Sequence, residues 1–379
     1  MNSELIFIFD IAIILLLALL GGMLAKKMNQ PEVLGQIIVG IILGAGLMTK
    51  TNTIEEIGQI GVIFLMFIAG LETDIDELKE SGRSSSLIAL GGVLVPGIFV
   101  SITTYLLTKN FQASIFMGIV STATSVSISV QTLKEIGHLR SREGVAILGA
   151  AIMDDVAGII MLTLSIGILK PTAGSSLMMV IIKILMFFLI VFILGKLLRY
   201  TLIKIDNRIK IDEKIVSLAL IVCLLLAFLS EELGVAAITG AFFAGVLFSM
   251  TKYRNNITYE INRIASLFFV PIFFVVIGMG VDLKLAFSVI GIGSFIIVVA
   301  VLGKIIGSGF GAKFSGFATK ESLQIGIGMV PRAEVAIIIS NLGLSLGIIN
   351  QKMMAITILM VVSTTLLTPS MLKWSFERK

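Results

Sequence analysis

Gly149-Ala150-Ala151-Ile152-Met153-Asp154-Asp155-Val156-Ala157-Gly158 sets two adjacent carboxylates near the middle of an apolar run from about Gly144 to Leu169. The run is long enough to cross a bilayer, since about 20 residues at roughly 1.5 Å each cover the hydrocarbon core. A charge at that depth costs at least about 2.5 kcal/mol by insertion scales, so an ionisable residue there is a functional candidate by default. Neighbours on a helix point about 100° apart, so both aspartates cannot face one partner equally.

The surrounding composition is that of a membrane protein. The 379 residues are 57% hydrophobic and 14% charged, with a mean hydropathy of +1.07, whereas soluble domains carry nearer a quarter charged residues. One cysteine, Cys223, excludes an internal disulfide framework, and with one histidine, His138, it argues against a structural zinc or haem site. No cofactor is expected. The first apolar run, about 5–24, lacks a basic leader and is followed by Lys26-Lys27, so it reads as a retained helix.

Apolar runs divide the chain into about thirteen transmembrane spans: 5–25, 33–49, 55–73, 86–108, 112–133, 144–169, 177–203, 214–232, 234–250, 260–281, 286–312, 321–343 and 351–372. Orientation follows from the excess of Lys and Arg on the cytoplasmic side. With the N-terminus outside and the C-terminus cytoplasmic, the outer joints hold only Lys50, Lys109, Lys170, Lys284 and Lys352. Lys183, Lys304 and Arg332 lie inside apolar runs, and all the remaining basic residues fall on the cytoplasmic side. That bias explains the net charge of +5 without invoking nucleic acid. The basic joint from Lys196 to Lys214 suits the anionic headgroups of a lipid bilayer.

The halves resemble each other in opposite topology. Phe64 to Asp74 matches Ile272 to Asp282, and Gly35, Gly40 and Gly44 match Ala236, Ala241 and Gly245. Pairing span one with eight, two with nine and so on leaves the seventh as a connector. Inverted repeats of this kind are a hallmark of secondary transporters.

Span five carries Ser121, Thr122, Thr124, Ser125, Ser127 and Ser129 within nine residues, a poor lipid-facing surface. Hydroxyls can satisfy backbone groups where a helix breaks, and their oxygens suit a hard cation. An intact helix whose hydroxyls bond their own carbonyls is the plainer alternative. Span twelve carries Pro331-Arg332-Ala333-Glu334 at mid-depth, and Pro331 cannot donate to a helical ladder. A discontinuous helix at a midplane site fits better than a kinked helix with a structural ion pair. Lys304 in span eleven, next to Gly303, Gly307 and Gly311 at four-residue spacing, is too deep to snorkel easily and is either neutral or paired with a carboxylate: Asp154, Asp155 or Glu334. The physical reading is a division of labour. One aspartate pairs with Lys304, and the other faces a water-filled cavity and binds a cation or a proton in competition.

Asp154-Asp155, Phe67-Ile-Ala-Gly-Leu-Glu-Thr-Asp74, Thr124-Ser125, Lys304 and Pro331-Arg332-Ala333-Glu334 together resemble the cation:proton antiporter-2 family, in particular its bacterial NapA-type Na⁺/H⁺ antiporters. The resemblance implies an all-α polytopic fold of two inverted repeats with crossed discontinuous helices, NhaA/NapA-like. It implies a homodimer, with residues 1–50 and 177–250 as dimerisation and linker helices. Residues 55–170 and 260–372 would form the ion-binding core, moving by elevator-like alternating access, with no cytosolic regulatory domain following. Asp155 would hold Na⁺ and Asp154 would pair with Lys304, with Glu334 close to the lysine. Thr124 and Ser125 would line the unwound crossing, together with Thr122, Pro331 and Arg332. Asp-Asp with the lysine implies electrogenic exchange, two protons per Na⁺; Ala333 stands where the family often has Gly.

The leading function is therefore exchange of Na⁺ or Li⁺ for H⁺ across the cell membrane, without enzymatic chemistry. A K⁺/H⁺ antiporter or K⁺ efflux protein is the near alternative. An ion channel lined by the same carboxylates is a second class, and an intramembrane aspartyl protease a third. The last needs aspartates on facing helices around Gly-x-Gly-Asp, whereas Gly278-Met279-Gly280-Val281-Asp282 has an extra residue.

Overall fold

The computed structural model describes residues 3–73, 75–169, 177–205, 212–280 and 289–377. Asp74 and the side chains of Asp76, Glu77, Lys79 and Glu334 lie outside the described residues, as do Lys170, Arg208, Lys210, Asp282 and Lys284. The described chain is helical, and every apolar span read from the sequence falls on helix. The first four spans correspond to α1 (Ser3–Lys27), α2 (Glu32–Gly44), α3 (Asn52–Glu72) and α4 (Ile75–Thr108). Span five is divided into α5 (Phe111–Thr122) and α6 (Val126–Glu135), followed by α7 (Arg142–Leu169) and α8 (Leu177–Ile205). Then come α9 (Asp212–Glu232), α10 (Ala237–Ser249) and α11 (Arg254–Ile264), with a π-helical turn over Ala265–Phe269 leading into α12 (Val270–Met279). After α13 (Ile290–Phe314), span twelve is divided into α14 (Thr319–Gly328) and α15 (Glu334–Ser345), and α16 (Gln351–Glu377) ends the chain.

Three boundaries differ from the apolar runs for local reasons. The α4 helix begins at Ile75 rather than 86, because residues 75–85 contain good helix formers and no proline. The tenth span is interrupted by the π turn just before Pro271. A proline has no N–H for the ladder, and a local change of winding at the helix start absorbs that loss. The α2 helix ends at Gly44 rather than 49, where the chain turns through Gly46 at φ 120°, and α10 has the same 13 residues as α2.

The helices form two bundles. In one, α3 lies against α10 and α12, α12 against α2, α2 against α1, and α10 against α9. In the other, α13 lies along α4, α4 also contacts α5 and α7, and α14, α15 and α16 close around them. The α8 helix touches α7 of the second bundle and α9 and α10 of the first. By these contacts α3 and α12 lie with α10 and α2, whereas the sequence-based division put the third and tenth spans with the ion-binding helices. Glycines decide the matter. A Cβ on Gly70 would strike the Phe242 carbonyl of α10, and one on Gly278 would strike the Ile37 carbonyl of α2. Gly245 and Gly40 meet α3 and α12 in the same reciprocal way. Backbones this close commit α3 to α10 and α12 to α2. The expected small-residue face of α13 does the same for the other bundle, with Gly303 against Pro96 and Gly307 against Gly91.

Polar contacts join the bundles at the end that carries the basic joints. Glu135 at the end of α6 accepts the backbone N–H groups of Glu32 (2.5 Å) and Val33 (3.3 Å) at the start of α2. Lys134 donates to Asn262 on α11 (2.5 Å), and Arg140 lies 3.8 Å from Glu72 at the end of α3. Lys373 on α16 donates to the Asn29 carbonyl and side chain, both at 2.8 Å. His138 is half-buried, its ring 4.5 Å from that of Phe376.

Candidate ion-binding site

Two interrupted helices cross in the second bundle. Between α5 and α6, Ala123 is extended (φ −55°, ψ 133°), and so is Ser125 (φ −94°, ψ 103°). Between α14 and α15 the chain is non-helical from Val330 to Ala333, where Pro331 prevents continuation of the ladder. The two breaks satisfy one another. The Ser125 N–H donates to the Pro331 carbonyl at 2.6 Å, and the Ser129 hydroxyl to the Gly328 carbonyl at 2.6 Å. Strands of irregular backbone at membrane depth require such partners, because lipid supplies none.

Each broken helix leaves carbonyls without intrahelical partners and a partial negative charge at its C-terminus. Both buried cations go there. Arg332 donates from Nε (2.9 Å) and a terminal nitrogen (2.7 Å) to the Ser121 carbonyl of α5, and from the other terminal nitrogen to the Val330 carbonyl (2.7 Å). It also reaches the Ala300 carbonyl on α13 at 3.2 Å. Arg332 thus holds the crossing through backbone oxygens. Thr364 accepts the Arg332 N–H and Thr365 donates to its carbonyl, so α16 fixes the break from behind. Lys304 donates to the Thr122 carbonyl at 2.7 Å. The Thr122 hydroxyl bonds back to Ile119, the local pattern expected of an uninterrupted helix.

Asp154 is the aspartate that meets the lysine. Its Oδ2 lies 2.9 Å from Lys304 Nζ and also accepts the Thr124 hydroxyl, and both charged side chains are buried. Its Oδ1 is buried with no hydrogen-bond partner among the described residues. Asp155 points elsewhere, as helical geometry demands. It is partly exposed, and its Oδ2 is approached by the hydroxyl of Thr239 on α10, 3.4 Å away in the other bundle. Ser125 is at the crossing, but its hydroxyl pairs with Ser127 (3.1 Å) rather than with either aspartate. The backbone of Glu334 opens α15; its side chain lies outside the described residues.

The ends of α7 differ in exposure. Gly144 to Ile152 are buried, whereas Met153 is 44% exposed and Asp155 to Gly158 are partly so. The buried end of α7 is the one that follows the basic joint at Arg140 and Arg142. Thr239 was not legible beforehand, since one threonine in an apolar run carries no distinctive pattern. The carbonyls that hold Arg332 and Lys304 were equally hidden, because they become available only once α5 stops.

The profile of the family described as sodium/hydrogen exchanger, transmembrane, matches residues 13–378. The chain is 41% identical to the Na⁺/H⁺-K⁺ antiporter GerN of Bacillus cereus, over 98% of this chain and 97% of that one. It is 34% identical to a Na⁺/H⁺ antiporter of Enterococcus hirae, over 98% of both chains. In fold it is similar to the sodium proton antiporter MjNhaP1 from Methanocaldococcus jannaschii, with a TM-score of 0.77 and 18% identity over 100% of each chain.

Proposed function

The chain belongs to the sodium/hydrogen exchanger family, and on that premise we propose that it exchanges Na⁺ or Li⁺ for H⁺ across the cell membrane. Membership of a transporter family sets aside the protease reading, and the aspartates' position on a single helix agrees with that. Asp155 carries either the cation or a proton, and competition for that one carboxylate couples the two fluxes. The observation that carries this reading is the buried Lys304–Asp154 pair at the crossing of two broken helices, with Asp155 turned away from it. Lys304 is engaged by Asp154, and Asp155, on a separate face of α7, takes a monovalent cation or a proton. Glu334, at the start of α15, is assigned a supporting place near the lysine.

Transport proceeds by displacement of the α4–α7 and α13–α16 bundle against the other, an elevator-like motion that re-seals the site from the opposite face. The two halves are inverted repeats, the N-terminus is outside and the C-terminus cytoplasmic. The bundle containing α1, α2, α9 and α10 forms the homodimer contact. Exchange is electrogenic, with two protons per Na⁺. Cation-induced dequenching of a pH dye in everted vesicles tests the core of this: Na⁺ or Li⁺ raises the signal, and Asp155→Asn abolishes it. Unchanged dequenching in that variant would overturn the role of Asp155.

A second reading keeps the mechanism and changes the cation to K⁺. It is favoured by the name of the relative with 41% identity, which includes K⁺. Parallel titration with Na⁺, Li⁺ and K⁺ separates the two.

A further inference from the structure

Thr239 belongs to a different moving part from the aspartate it approaches. Its position is firmly set. The Ser230 hydroxyl donates to the Val235 (3.1 Å) and Ala236 (2.8 Å) carbonyls, and Glu231 accepts the Ala237 N–H at 3.0 Å. These bonds fix the joint from which α10 starts. A Cβ on the neighbouring Gly240 would strike the Leu226 carbonyl, so α10 lies hard against α9 and cannot withdraw. Thr239 in the first turn of α10 is 1% exposed, and its hydroxyl lies 3.4 Å from Asp155 Oδ2. A hydroxyl can donate to an empty carboxylate, and it can turn its lone pairs to a cation that replaces that bond. Oxygen ligands of this kind suit small hard cations.

The same arrangement brings the bundles together at the basic end through Glu135, Lys134, Arg140 and Lys373. Any displacement that opens the basic face must break those contacts and carry Asp155 away from Thr239. The ligand set around Asp155 therefore cannot be the same in the two access states.

We propose that Thr239 completes the cation site at Asp155 only while the basic face is closed, and so sets cation affinity and selectivity for the opposite face alone. The proposal rests on the assignment of the cation to Asp155. The consequence is an affinity asymmetry between the two faces that no residue of the moving bundle could supply, since those residues travel with the site.

The test measures apparent KM and maximum rate for Na⁺ and K⁺ in right-side-out and everted vesicles at one fixed pH. Thr239→Ala, Thr239→Val, Thr239→Ser and Asp155→Asn are compared with the parent chain. The expected result is a rise in Na⁺ KM of about three- to tenfold for the Ala and Val variants at the face opposite the basic joints. At the basic face KM stays within about twofold, and the serine variant stays within about twofold at both faces. K⁺ KM rises less than Na⁺ KM, because the lost ligand matters more to the smaller ion. An equal KM change at both faces, no change at either, or a fall in maximum rate with KM unchanged overturns the proposal. If Asp155→Asn still transports, the site assignment itself fails. If that variant is inactive while Thr239→Ala behaves as the parent, only the role of Thr239 fails.

Discussion

Lys304 Nζ lies 2.9 Å from Asp154 Oδ2 with side-chain exposures of 0% and 1%, so each charge has no water to turn to. Breaking such a pair by removing one partner costs about 3–5 kcal/mol, because it strands the other charge. Lys304→Met and Asp154→Leu should each lower thermal stability in detergent by that order. The double variant should recover most of the loss, since it strands no charge and deprives only the Thr122 carbonyl and the Thr124 hydroxyl of a partner. Unfolding midpoints across this double-mutant cycle are the measurement. Additive losses would show that the two charges do not depend on one another.

A ligand that binds only the folded chain stabilises it, by about 2.7 kcal/mol at a hundredfold excess over Kd. Na⁺ should therefore raise the unfolding midpoint of the purified chain over choline at equal ionic strength. Asp155→Asn should fold to nearly the same baseline, because Asp155 is partly exposed and outside the lysine pair. That variant should also lose the Na⁺-specific rise. A rise retained in full would move the cation away from Asp155.

The parts of the fold that were legible are those written in one dimension. Bilayer-length apolar runs mark the helices, and a charge inside such a run marks itself, as Lys304, Arg332 and Asp154 do. The break in α14–α15 was legible through Pro331, and that in α5–α6 through its hydroxyls. What remained hidden depends on pairs of helices. Gly70 and Gly278 look like any glycine in an apolar run until a second backbone is placed against each. For that reason the sequence alone did not pair α3 with α10 or α12 with α2. Arg332 binds the Ser121 carbonyl, which a continuous α5 would have used itself and which no spacing in the sequence announces.

Glu135 caps α2 across the bundle boundary, at the basic face, by accepting the backbone N–H groups of Glu32 and Val33. Losing a carboxylate from a helix N-terminus costs about 1 kcal/mol. Glu135→Ala should therefore raise the population open at that face roughly fivefold. The reporter is a cysteine at Thr73, which is 3% exposed beside Glu72, in a Cys223→Ser background. Its alkylation by a membrane-impermeant maleimide from the basic side should accelerate by the same factor. An unchanged rate would mean that Glu135 contributes nothing to closure.

The reciprocal glycines make the most direct structural prediction. Gly278→Ala puts a methyl group into the Ile37 carbonyl, and backbone cannot rotate aside as a side chain can. The two helices must separate, at a cost of about 1–3 kcal/mol. Gly70→Ala should behave alike at the Phe242 carbonyl. Gly82 in α4 is the control, because a Cβ there meets nothing within 4 Å. Gly82→Ala gains the helix propensity of alanine and should raise stability by up to about 1 kcal/mol. Opposite signs of the midpoint shift, down at 278 and 70 and up at 82, are expected from one chemical change. A similar loss at all three positions would mean that the cost lies in the methyl group itself and not in the close approach of α12 to α2 and of α3 to α10.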